Sequence, residues 1–137
     1  MKINGKHFHT IWVSPDDKSV VQTIDQRWLP HKFVVEDLTT VHEAAVAIKD
    51  MHVRGAPLIG VTAAYGMYLA GLSAANETTD HFLKIIDEAA ELLRSSRPTA
   101  VNLFWALDRQ TTGIRSIDAN VEEMIQFLLN TAADIAA

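Results

Sequence analysis

Two hydrophobic periods divide the chain. Strand-forming side chains cluster in two runs within residues 8–25: Phe8, Thr10, Ile11, Trp12 and Val13, then Val20, Val21, Thr23 and Ile24. Such residues favour a pleated, half-buried surface. Between the runs lies Ser14-Pro15-Asp16-Asp17-Lys18. Proline presets φ for a turn and aspartate bonds its own backbone, so the pair predicts a hairpin. Gln26-Arg27-Trp28-Leu29-Pro30 reads as a connector, and Lys32-Phe33-Val34-Val35-Glu36 as a third strand.

Beyond Leu38 the apolar residues recur with the period of a helix. Thr40-Val41-His42-Glu43 has the spacing of a capping box, in which the hydroxyl caps an amide and the glutamate returns the bond. Val41, Ala44, Ala45, Ile48 and Met51 then share one face, and Gly55 is expected to end this helix in a left-handed turn. Pro57 suits the first turn of a second helix over 57–72. That segment is apolar on all sides and rich in Gly and Ala, which predicts a place at the centre of a bundle. A helix over 79–95 buries Phe82, Ile86, Ala89, Ala90 and Leu93, and Pro98 pushes Arg97 out of the helical region. Another spans 99–109, followed by a turn around Gly113. The last opens near Asp118, carries Val121, Met124, Ile125, Leu128, Leu129, Ala132 and Ile135 at helical spacing, and ends without a Gly or Asn cap, as though cut in mid-helix. The expected fold is α+β in one domain: a small antiparallel β-sheet over 1–37, then an α-helical bundle over 38–137.

Composition narrows the function classes. The chain has 137 residues, 48% of them apolar and 21% charged, the profile of one ordinary globular domain. It has no cysteine, which excludes a disulfide framework, a thiolate metal site and a cysteine nucleophile within these residues. The net charge is −5, with a slight basic excess before residue 36 and an acidic one after it. No basic stripe exists to neutralise a run of phosphates, so nucleic acid is not an expected partner. Residues 56–75 carry no charge over a length that could cross a bilayer. Pro57, Gly60, Thr62, Tyr65, Gly66 and Gly71 dilute them, and a core helix is expected instead of a membrane span. Met1-Lys2-Ile3-Asn4-Gly5-Lys6-His7 has no apolar signal segment, which points to the cytoplasm.

The candidate chemistry is concentrated at two helix starts. Arg54-Gly55-Ala56-Pro57 and Arg97-Pro98-Thr99 each put an arginine just before a helix begins. Free amides and the positive end of the helix dipole favour an anion there, and a guanidinium adds a fork of donors matched to phosphate oxygens. The alternative is that each arginine bonds the carbonyls that end the preceding helix. No metal is expected: His7 and His9 share a strand face but lack a third ligand, and His42 and His52 lie too far apart on the first helix. Asp87, Glu88 and Glu91 read as a solvated helix face, and Trp12, Trp28, Phe33, Phe104 and Trp105 as core.

The segment from Ala47 through Met51-His52-Val53-Arg54-Gly55-Ala56-Pro57-Leu58-Ile59-Gly60, followed by Ala63-Ala64-Tyr65-Gly66, resembles the methylthioribose-1-phosphate isomerase family of methionine salvage. Ile24-Asp25-Gln26 with Leu29-Pro30, and Ser96-Arg97-Pro98-Thr99-Ala100-Val101-Asn102-Leu103, agree with it in order and spacing. The resemblance covers essentially the whole chain but only the first part of the family's length. It implies a small sheet and helical bundle preceding a Rossmann-like half, a homodimer, and an aldose–ketose isomerisation without metal or organic cofactor. It further implies that Arg54, Gly55, Ala56 and Arg97 bind the phosphosugar substrate and its phosphate. The family's catalytic Cys and Asp belong to the later half and have no counterpart here, so residues 1–137 are expected to grip substrate and to be inactive alone. The rival expectations are a ribose-1,5-bisphosphate isomerase, a non-catalytic interaction module like the regulatory subunits of the exchange factor for initiation factor two, and a self-contained sensor of a phosphorylated metabolite.

Overall fold

The structure, a computed structural model, describes residues 2–3, 6–7 and 10–136. Phe8 and His9 of the expected hairpin lie outside them. β1 (Lys2–Ile3) and β2 (Lys6–His7) form a short antiparallel pair. β3 (Ile11–Val13), β4 (Val21–Ile24) and β5 (Val35–Leu38) form an antiparallel sheet in the order β3-β4-β5. On its outer face Gln22 accepts from the Trp12 indole at 2.9 Å and donates to Asp37 at 2.9 Å, across the register Trp12↔Gln22↔Asp37. Its inner face delivers Ile11, Val21 and Leu38 to the core shared with the helices. The third strand begins later than the apolar run suggests. Pairing Val21 with Leu38 buries Leu38, whereas Phe33 stays 40% exposed and Val34 accepts from the Asp25 amide.

Five α-helices follow among the described residues: α1 (Val41–Lys49), α2 (Ala56–Ser73), α3 (Thr79–Ser96), α4 (Val101–Ser116) and α5 (Val121–Ala136). The α+β class is as expected. Thr40 caps α1 through the Glu43 amide at 3.1 Å, but Glu43 bonds back to Thr39, one residue earlier than a strict box requires. The end of α1 differs from expectation. Asp50 caps it and Met51 takes the left-handed conformation at φ 61°, so the amides of His52 and Val53 turn back to the Ala47 carbonyl. His52 therefore lies beyond the helix, and Gly55 precedes α2.

α2 is buried from Leu58 to Gly71 and touches every other helix. It is long and apolar enough to cross a membrane, yet most of it is buried inside the fold, as in a core helix. Its glycines admit its neighbours. A Cβ at Gly60 would meet the Asn102 carbonyl oxygen of α4 at 3.0 Å, and one at Gly66 would meet Ala44 of α1 at 3.0 Å. α4 corrects another expectation, since it passes through Gly113 without a turn. Gly113 lies under the Phe127 ring of α5, and Ile114 continues the stripe of Leu103, Ala106, Leu107 and Gln110. The aromatic expectation is corrected: Trp28, Phe33 and Trp105 are 48%, 40% and 54% exposed and Trp12 and Phe104 half-buried, while the buried aromatics are Phe82, Tyr65 and Tyr68.

Candidate anion-binding site

Thr40, Thr78 and Asn120 each offer a side-chain oxygen to an amide in the first turn of α1, α3 and α5. α2 and α4 have no such cap. α2 is preceded by Gly55, whose φ of 92° and ψ of 131° suit a residue without a Cβ, and among the described residues no atom beyond its chain neighbours comes within 4 Å of where that Cβ would stand. α4 begins at Ala100, whose amide bonds the Arg97 carbonyl at 3.1 Å. Uncapped first-turn amides are donors left for solvent or for a ligand. The close pass of Gly60 against Asn102 brings these two helix starts together.

Between them lies a concavity of about 440 Å³ lined by Gly55, Ala56, Arg97, Thr99 and Asn102 among others. A second, of about 380 Å³, meets it at Gly55 and is lined by Gln26, Arg54 and Pro57. Three of the four residues singled out from sequence thus share one concavity, and Arg54 borders the next. A third, of about 430 Å³, runs on over Gly60, Val101, Trp105 and Ile135. Among the described residues no carboxylic acid or imidazole side chain lines any of the three.

The arginines separate into two groups. Arg27 pairs with Asp25, Arg94 with Asp108 and Arg115 with Asp87, each at 2.6 Å, and Arg109 stacks over Trp105 at 5.7 Å. Among the described residues the guanidinium groups of Arg54 and Arg97 have no hydrogen-bond, ion-pair or ring partner. Neither guanidinium bonds the carbonyls of the helix before it, the alternative open at the level of sequence.

Residues 52–137 match the model of the initiation factor 2 subunit family. The chain belongs to that family. Among its relatives, a methylthioribose-1-phosphate isomerase of Sinorhizobium medicae is 47% identical over 136 residues, covering 99% of this chain and 35% of that protein. One from Escherichia coli is 46% identical over 136 residues, 99% of this chain and 34% of that protein. In structure, the chain is similar to 5-methylthioribose 1-phosphate isomerase from Pyrococcus horikoshii, with a TM-score of 0.87 and 37% identity over 95% of this chain and 36% of that one. It is also similar to the delta subunit of translation initiation factor eIF-2B from A. fulgidus, with a TM-score of 0.85 and 33% identity over 94% of this chain and 36% of that one. The chain spans about a third of the length of the relatives it matches.

In this initiation factor 2 subunit family member, a second polar cluster escaped the sequence reading. Asp25, Glu36 and His52 bring possible ligand atoms within 4.8 Å of one another. They fit a metal poorly. Arg27 Nε and Nη2 lie 3.0 and 2.6 Å from the Asp25 carboxylate and the Trp28 indole donates to it at 3.2 Å, so a guanidinium occupies the cation's place. That guanidinium holds the Asp25 carboxyl below the usual aspartate range, against the opposing effect of burial. The only sequence signal for the cluster was the Asp25-Gln26 pair within the family-like segments. Glu36 and His52 join it through folding of separate elements. Of His7 only the backbone is described, so its side chain, like His9, lies outside the description.

Proposed function

We propose that the chain is the N-terminal, substrate-gripping part of a cytoplasmic aldose–ketose isomerase of methionine salvage, converting 5-methylthioribose 1-phosphate to 5-methylthioribulose 1-phosphate as a homodimer. Arg54 and Arg97 hold the phosphosugar's phosphate, and Gly55 and Ala56 let it approach the backbone amides. The observation that carries this reading is that the two arginines whose guanidinium groups have no partner among the described residues flank the two helix starts without side-chain caps. A charge-assisted bond to phosphate satisfies both deficits at once. Moving a proton between adjacent sugar carbons needs an acid or base within reach. An arginine is too basic for this, and among the described residues the lining adds no carboxylic acid or imidazole. On this reading the catalytic groups belong to the rest of a longer protein, since the chain spans about a third of the length of its relatives, and this chain alone is inactive.

Titration of the chain with inorganic phosphate and with methylthioribose 1-phosphate tests the reading. Arg54→Ala and Arg97→Ala should each weaken binding by about tenfold, the scale of one charge-assisted hydrogen bond. Unchanged affinity in both variants would sink the assignment, and turnover by the isolated chain would sink the division of labour. A second reading, an interaction module, is favoured by one feature: Val101 and Trp105 are 77% and 54% exposed beside the concavities. A module of that kind would leave phosphate unbound.

A further inference from the structure

Arg54 stands in a stretch with no regular structure of its own, between the end of α1 at Lys49 and the start of α2 at Ala56. That stretch is held by Val53, which is fully buried in the core and whose amide donates to the Ala47 carbonyl, and by His52, which is 8% exposed. The His52 amide donates to the Ala47 carbonyl at 2.9 Å, and its carbonyl accepts from the Gln26 amide at 2.8 Å. Its Nδ1 lies 2.9 and 2.8 Å from the two carboxylate oxygens of Glu36 on β5. A carboxylate only accepts, so Nδ1 carries the hydrogen in this arrangement. Gln26 borders the same concavity as Arg54 and Gly55, so the Gln26–His52 bond ties two walls of that concavity together.

We infer that Glu36 is a positioning residue, fixing the Arg54–Gly55–Ala56 segment against Gln26 through His52. The inference rests on the anion-binding reading of that segment. Without Glu36 the Nδ1–H is left buried with no partner, which is costly. The ring relieves that cost by turning out to water. With its side chain no longer anchored, the His52 backbone holds the Gln26 amide less firmly, and Arg54, beyond the buried Val53, is less firmly placed against Gln26. Asp25 cannot substitute for Glu36, because Arg27 and Trp28 already engage its carboxylate.

Two measurements on the whole chain test this: amide hydrogen exchange without ligand, and the dissociation constant of inorganic phosphate followed at the Gly55 amide. In Glu36→Ala the Gln26 and His52 amides should exchange about tenfold faster while Ala64, in the middle of α2, keeps its rate, and phosphate should bind about threefold more weakly. Glu36→Gln keeps an acceptor for Nδ1–H and should restore most of both. Unchanged exchange at Gln26 and His52 overturns the positioning role. Equal acceleration at every amide overturns it as well, since that marks a loss of global stability alone. Weaker phosphate binding in Arg54→Ala but not in Glu36→Ala leaves the anion site standing and removes Glu36 from it. Local acceleration with phosphate affinity indifferent to both variants removes the anion-binding reading and, with it, the site that Glu36 is inferred to serve.

Discussion

Asp25 shows how one side chain can serve several ends. It is 3% exposed, caps the short turn Gln26–Trp28 through the Arg27 amide, grips the Arg27 guanidinium and accepts from the Trp28 indole. Because its carboxyl is held below the ordinary value near about 3.9, it contributes stability that is fully present above that pH and is lost as pH falls through the lower, folded value. Urea midpoints of the parent chain and of Asp25→Asn should therefore differ by a constant gap above about pH 5 that narrows below about pH 4. A gap as wide at pH about 3 as at neutrality would show that the ionised carboxylate is not the stabilising species. At this scale the sequence was informative where a residue acts through its chain neighbours. Arg54 and Arg97 were legible because the Gly and Pro beside them mark helix starts. The Asp25–Glu36–His52 cluster was not, because three separate elements supply it and no local pattern announces a contact across a fold.

Among the elements, α2 is the one whose surroundings are specified by absence of side chain. The strength of that specification differs between its glycines. At Gly60 the obstructing atom is a backbone carbonyl of α4, which cannot swing aside, whereas at Gly71 it is the Leu128 Cδ1 atom, the far end of a flexible side chain. Gly60→Ala should therefore cost about 1–3 kcal/mol in a chemical denaturation series, and Gly71→Ala distinctly less. Equal costs would mean that α4 moves as freely as a leucine tip. Loss of the Thr40 cap should cost about 1 kcal/mol in Thr40→Ala, measured the same way. The helical stripes were legible because the period of 3.6 persists over several turns, as in the buried set Phe82, Ile86, Ala89, Ala90 and Leu93. The misread boundaries share a cause in tertiary contact. Gly113 looks like a breaker until the Phe127 ring covers it, and β5 takes its register from Leu38 meeting Val21 rather than from Phe33.

For the whole molecule, sheet and bundle share one core, in which Ile11, Val21 and Leu38 join residues of all five helices. Unfolding followed by tryptophan fluorescence, which reports on Trp12 and Trp28 near the sheet and on Trp105 in α4, should coincide with the loss of helical circular dichroism. Separate transitions would show that the sheet is an appendage. Gln110 adds to the unity at the centre, where its side-chain amide donates to the Ala64 carbonyl of α2 and the Leu128 carbonyl of α5 at 3.2 and 3.1 Å.

The all-round burial of α2 also has a consequence for how the chain is made. α2 is synthesised before α3, α4 and α5, yet those helices supply most of its covering, and the Leu128 and Ile125 contacts over Gly71 come from the last of them. While the chain is still emerging from the ribosome, an uncharged helix of eighteen residues has only α1 and the sheet to shelter against. In that interval its apolar flank stays open to non-native contacts, and the native packing closes only when α5 is released.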